Sequence, residues 1–177
     1  HLYNAMSELH HRKPGMVGAA LAHAQYAEII PDLLHVHPGA IRAARRAIPK
    51  LYCVTDSTAA AGMPDGQYTL GGLDVKVVGR LATLVSDGAI AGSATNLMDC
   101  MRTVVKKMEL PLETAVACAT INPARSLGVE EHYGSLEAGK KADIGDIEIL
   151  EKFTFFEVEK SFKNEVMGNI NNKKFKG

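Results

Sequence analysis

The sequence predicts an α/β fold in which short parallel strands alternate with helices, and three observations carry that reading. Brief apolar runs bounded by polar loops alternate, through the first half, with Ala- and Leu-rich segments of helical composition. Side chains capable of chemistry, His1, His35 and Asp56, stand where those apolar runs end. The 177 residues are 46% hydrophobic and 23% charged, which is enough apolar material for one ordinary core.

Taken in order, residues 1–6 (HLYNAM) read as the end of a strand, followed by a polar loop, SELHHRKPG, that holds Arg12, Pro14 and Gly15. Residues 16–25 (MVGAALAHAQ) have helical composition. The apolar run from Tyr26 to Val36 is expected to be a buried strand in its later part. Pro38 then opens a helix through Ile48, since proline is favoured at the first helical position. LYCVTD follows as a second short buried strand, ending on Asp56. The chain carries no initiator Met and opens inside an element, so it is expected to be the later part of a longer protein.

The pattern changes over residues 57–95. TAAAGMPDG is loop chemistry, and YTLGGLDVKVVGR with ATLVSDGAIAGS is β-rich but cut by Gly-Gly, Asp-Gly and Ala-Gly. A small antiparallel excursion with hairpin turns fits this best. Beyond it, Leu97, Met101, Val104, Val105 and Met108 fall on one helical stripe that is expected to be core. LETAVACATI is a second helix that should stop before Asn122-Pro123, and PARSLGV a short one stopped by Gly128. GSLEAGKKADI is a Gly-punctuated turn leading to a strand. The Lys-, Glu- and Asn-rich tail from Glu148 is expected to hold one or two strands and a frayed end.

Composition narrows the partners. Lys+Arg and Asp+Glu are both 20, which gives no electrostatic reason to expect nucleic acid or an anionic membrane. No apolar run approaches a membrane span, and no signal-peptide pattern opens the chain. Cys53, Cys100 and Cys118 are too widely spaced for a CxxC site and lie among apolar neighbours. They are expected to be reduced and buried, which points to the cytoplasm.

Chemistry is sought at the strand ends, where parallel α/β sheets gather their ligands. Imidazole suits zinc or iron(II) and binds as the neutral base. A carboxylate nearby can accept the proton of a water whose pKa a metal lowers to about 7. His1, His35 (with His37) and Asp56 are the minimum for metal-assisted hydrolysis. Each also has a plainer reading: a lone strand-end histidine as a structural donor, and Asp56-Ser57-Thr58 as an Asx-turn. His10, His11, His23 and His132 are assigned no role.

The combination is more specific. HLYNAM (1–6), the downstream RKPG, LLHVHP (33–38), LYCVTDSTAAAG (51–62) and AGSATNLMD (91–99) occur in that order, and NPARSLGVEEHYGSLEAGKKADI closes the stretch at residue 144. Together these resemble the N-acetylglucosamine-6-phosphate deacetylase family of the amidohydrolase superfamily. The resemblance implies the C-terminal part of a (β/α)8 barrel, about strands six to eight, with part of a small β-sandwich. Residues 1–128 would belong to the barrel, including a β insertion near 66–92, and residues 129–177 to the sandwich and C-terminal segment. It implies a divalent metal, zinc or iron, held in part by His1. Asp56 matches the family's catalytic acid/base. His35, Asn4, Ala5 and Arg12 match residues that bind the sugar phosphate, and Ile90 an apolar residue near the acetyl group. Arg12 in the family can reach a neighbouring subunit's site, so a homodimer or larger homo-oligomer is implied.

The implied reaction is hydrolysis of the acetamide of N-acetylglucosamine 6-phosphate. Alternatives are another amidohydrolase with a different amide or cyclic amide, or a non-catalytic piece that binds sugar phosphate. The family's glutamate and second histidine ligand lie upstream of HLYNAM, so this chain alone is expected to be inactive. The residues after Asp143 depart from the family pattern.

Overall fold

A computed structural model describes residues 1–144. The strands expected after KKADI and in the tail lie outside the described residues. The chain divides into two compact units, His1–Ser135 and Leu136–Gly177, and the first holds every candidate residue.

That unit begins with the βα layer the sequence implies. Helix α1 (Gly15–His23) precedes strand β1 (Tyr26–Ile29), and helix α2 (Pro38–Ala47) connects it to strand β2 (Lys50–Cys53). The two strands pair in parallel, Tyr26 opposite Lys50 and Ile29 opposite Cys53. Pro38 sits at the start of α2, where a missing N–H costs nothing, and the preceding His37 caps it by accepting the Gly39 N–H at 3.1 Å. Ile41 and Ala44 turn inward, and Ile48 beyond the helix is fully buried. Arg45 and Arg46 occupy the last turn, where cations offset the helix dipole.

The antiparallel excursion is a four-stranded meander of β3 (Gly66–Leu70), β4 (Leu73–Val78), β5 (Leu81–Leu84) and β6 (Ile90–Ser93). The turn between β3 and β4 is Gly71-Gly72, with φ of 57° and 85°, which only glycine adopts without strain. Val75 and Val77 are buried while Asp74, Lys76 and Val78 are exposed, the period-2 alternation of a one-sided sheet. With Ala60 and Ala82 they form its core.

Helix α3 (Leu97–Lys106) is capped by Asn96, whose side chain accepts the Asp99 N–H at 2.8 Å. Met101, Val104, Val105 and Met108 are buried as the stripe requires. Helices α4 (Leu112–Ala119) and α5 (Ile121–Leu127) follow, and Gly128 ends α5 in the left-handed region at φ 68°. All three cysteines are free and buried. No helix of the described residues is long and apolar enough to cross a membrane.

Four boundaries differ from expectation, each for a local reason. HLYNAM is a succession of turns, not a strand end. The Asn4 side chain folds back on the His1 and Leu2 carbonyls at 3.4 Å, and Tyr3 and Ala5 take φ of 79° and 51°, which strand backbone does not allow. The apolar run from Tyr26 is a strand in its earlier part, because Pro31 brings no N–H and Asp32 turns the chain by accepting the Leu34 and His35 N–H groups at 2.9 and 3.0 Å. Strand β2 ends at Cys53, so Asp56 lies in the loop beyond it. Helix α5 begins at Ile121, two residues before Pro123, because the break falls at Thr120 (φ −131°, ψ −83°) and proline is harmless in a first turn.

Candidate functional site

Strands β1 and β2 lie side by side and run in the same direction, so the loops after them leave one end of the sheet. The first loop carries His35 and the second carries Asp56. Both close onto the end of β6. His35 Nε2 faces the Gly92 carbonyl at 3.2 Å, and the next residue, Ser93, donates its N–H to the Asp56 carbonyl at 2.8 Å. The Ser93 carbonyl in turn accepts the Thr58 N–H at 2.8 Å, and the Ser93 hydroxyl donates to the Thr55 carbonyl. Ser57 donates its hydroxyl to the Thr95 carbonyl. A single strand end thus fixes the whole 55–58 loop from both sides.

Asp56 is exposed, at φ 50°, and its carboxylate has no hydrogen-bond or ion-pair partner among the described residues. A non-glycine residue in that region is strained by about 1–3 kcal/mol, and such strain clusters at functional sites. His35 is the opposite case. Its side chain is 3% exposed, and Nδ1 lies 2.8 Å from Asp32 Oδ2. The Asp32 hydrogen bond raises the imidazole's pKa against the opposing effect of burial, helped by the charges of Asp32 and Asp56. Burial pushes the Asp32 carboxyl up, but the His35 and Leu34 hydrogen bonds more than offset it and hold the group below its ordinary range.

The HLYNAM segment reaches the sheet through Leu2, whose N–H donates to the Glu28 carbonyl at 2.8 Å, and through the Tyr3 hydroxyl, which donates to Ala40 of α2 at 3.1 Å. His1 therefore lies at the flank of β1. Its Nδ1 is buried without a hydrogen-bond partner, the condition of a donor atom that lacks its acceptor or its metal. Among the described residues, no group of three or more His, Cys, Asp and Glu could hold an ion. The donor set fits a metal at one ligand only. Asn4 is half-buried, Ala5 exposed, and Arg12 exposed in the turn closed by the His10–Lys13 bridge. The Arg12 guanidinium has no partner among the described residues. Ile90, on β6, is also exposed. The structure ties His35 and Asp56 to one strand end, and ties neither to Asn4, Ala5, Arg12 or Ile90 by any hydrogen bond.

Asp32, Gly92, Ser93 and Thr95 do not stand out in the sequence as site residues. Asp32, Ser93 and Thr95 are almost wholly buried. The visible signal was an aspartate three residues before His35, just after the proline that ends β1.

Comparison with known proteins places this geometry. The amidohydrolase family model matches residues 5–166. The chain is 42% identical over 146 residues to the N-acetylglucosamine-6-phosphate deacetylase of Vibrio furnissii, covering 81% of this chain and 36% of that protein. It is 41% identical to a putative N-acetylgalactosamine-6-phosphate deacetylase of Escherichia coli strain K12, covering 81% of this chain and 87% of that one. Among solved structures, the Pasteurella multocida N-acetylglucosamine-6-phosphate deacetylase superposes with a TM-score of 0.76 at 35% identity, over 79% of this chain and 37% of its own. A Mycobacterium smegmatis enzyme of the same name, an aspartate-to-alanine variant in complex with N-acetyl-D-glucosamine-6-phosphate, gives 0.71 at 36% identity, over 80% and 39%. The chain spans little more than a third of most of these relatives' length.

Proposed function

The chain belongs to the amidohydrolase family, and from that premise we propose that it supplies the later part of a deacetylase site acting on an N-acetylhexosamine 6-phosphate, N-acetylglucosamine 6-phosphate first. The observation that carries this is the convergence of the His35 and Asp56 loops on the end of β6, beside two parallel strands. That is the sheet edge where α/β enzymes place their chemistry. In this reading β1 and β2 are consecutive barrel strands, HLYNAM flanks them, residues 1–128 belong to the barrel and residues 129–177 to the β-sandwich and C-terminal segment. The relatives' names supply the substrate class, and the ligand in the M. smegmatis complex agrees with it.

His1 would hold a divalent metal, zinc or iron, through one ring nitrogen, and the remaining ligands would come from barrel strands outside this chain. The metal, when bound, polarises the acetamide carbonyl and makes water a usable nucleophile near neutral pH. Asp56 takes a proton from the attacking water as its oxygen bonds to the acetamide carbon. It then delivers that proton to the sugar nitrogen as the C–N bond breaks, leaving acetate and the amino sugar phosphate. Its exposed, unpartnered carboxylate suits both transfers. Arg12 and Asn4 with the Ala5 backbone hold the phosphate, for which a guanidinium fork is well shaped. Ile90 lines the acetyl side. The His35 Nε2–H rests on the Gly92 carbonyl at the long end of hydrogen-bond range, so it can be re-aimed at a substrate oxygen for little cost. The protein would work in the cytoplasm as a homodimer or larger homo-oligomer, with Arg12 near the subunit boundary.

The test joins this chain to the upstream barrel strands of the V. furnissii relative and measures acetate release with zinc or iron(II). Both 6-phosphorylated epimers and unphosphorylated N-acetylglucosamine serve as substrates. Release from the phosphorylated sugars, with the glucosamine epimer preferred, is the expected result. Equal release from the unphosphorylated sugar would overturn the phosphate assignment, and preference for the galactosamine epimer would reassign the sugar.

A further inference from the structure

We propose that Asp32 is a positioning residue: it holds His35 as a doubly hydrogen-bonded imidazolium between its own carboxylate and the Gly92 carbonyl, where the two site loops converge. The imidazolium rests on geometry; its service to the reaction rests on the proposed function.

A neutral imidazole has one N–H, so a ring with an acceptor at each nitrogen is fully satisfied only as the cation. His35 is such a ring, with Asp32 Oδ2 at 2.8 Å on one side and the Gly92 carbonyl at 3.2 Å on the other. The Asp32 carboxylate has four donors for its four acceptor positions. Oδ1 takes the Leu34 and His35 backbone N–H groups, and Oδ2 takes His35 Nδ1 and the Thr95 hydroxyl at 3.3 Å. Protonating that carboxyl would put an O–H where every neighbour is already a donor. Its side chain is fully buried, and a buried charge survives only when paired and hydrogen-bonded. The groups facing the pair come from three elements. Gly92 and Thr95 lie at and beyond the end of β6, Asp56 in the loop after β2, and Cys100 on α3. The Cys100 thiol is pushed up to about 12, chiefly by burial, and stays neutral. Asp56 is a second acidic charge that acts on His35, and like Asp32 it favours the protonated ring. The same Oδ1 bonds hold the loop that carries Leu33 at φ 66°, so charge and loop shape depend on one side chain.

The test is a long-range nitrogen–proton spectrum of the histidine rings in the full chain. At about pH 7.5, where an ordinary imidazole is mostly neutral, both His35 nitrogens should carry protons. Asp32→Asn should lower the proton affinity of His35 at least about tenfold, a full pKa unit, and Thr95→Val, which leaves both ring acceptors in place, should change it less. A neutral His35 in the unsubstituted chain overturns the inference, as does an unchanged titration in Asp32→Asn. If Asp32→Asn does not fold, the spectrum of the unsubstituted chain decides. Failure of the acetate assay itself would strike the proposed function and not the ring's protonation.

Discussion

Gly92 is the residue on which the two site loops close. A Cβ there would stand 2.6 Å from Thr58 Cγ2 and 3.0 Å from the Asp56 carbonyl oxygen, at a φ of 63°. Left-handed backbone in a residue with a Cβ costs about 1–2 kcal/mol, and forced overlap in a packed site about 1–3. Gly92→Ala should therefore lower the unfolding free energy by about 2–5 kcal/mol, read from the urea midpoint; a loss within error of zero would mean the strand end does not clamp the loop as described. The Asp32–His35 pair gives the pH dependence a definite sign. Asp32 is lowered from 3.8, so its contribution is present above that value and is lost as pH falls through the folded-state pKa. His35 is raised from 6.5, so its contribution is complete below that value and is lost as pH rises through the folded-state pKa. Stability should peak between those two ordinary values and decline on both sides, and Asp32→Asn should flatten both limbs of a urea-midpoint profile. At the chemical centre, Asp56→Asn in the joined barrel should cut kcat by about 10²–10⁴-fold, the usual worth of general acid–base catalysis, while substrate binding stays measurable. Near-normal turnover would remove Asp56 from its role.

Helices and meander were legible where one segment carries its own periodicity. The α3 stripe repeats over three turns and the β4 alternation over six residues, so neither depended on a distant partner. Met101, 3% exposed, tests the stripe: Met101→Ala should cost about 2–5 kcal/mol, against less than about 0.5 for the exposed Lys107→Ala. Equal costs would show that the stripe is not core. Strand ends were less legible, because side chains acting locally set them. An apolar run from Tyr26 to Val36 looks like one element until the Asp32 carboxylate captures two backbone N–H groups and turns the chain. Asn4 has the same effect on HLYNAM. His35 and Asp56 could be named in advance because they follow apolar runs and stand in motifs. Asp32, Ser93 and Thr95 could not, since a buried hydrogen-bond partner leaves no periodic trace and its contacts span up to 63 positions.

At the scale of the whole molecule, the described residues contain two parallel strands side by side, which cannot close into a barrel and leave strand edges to be covered. Metal binding meets the same limit. A hydrolytic zinc site uses about three protein ligands, whereas His1 is one donor atom with no companion cluster among the described residues. The 177-residue chain, dialysed against zinc or iron(II), should then retain well under one equivalent and release no acetate. Joined to upstream strands, it should take up metal stoichiometrically, and His1→Ala should weaken that uptake while leaving the chain alone unaffected. Metal analysis after gel filtration reads both. A full equivalent on the chain alone, removed by His1→Ala, would mean that ligands outside the proposed set complete the site. Chelation of the joined protein should abolish acetate release and readdition restore it, because the proposed reaction draws its nucleophile from a water whose pKa the metal lowers.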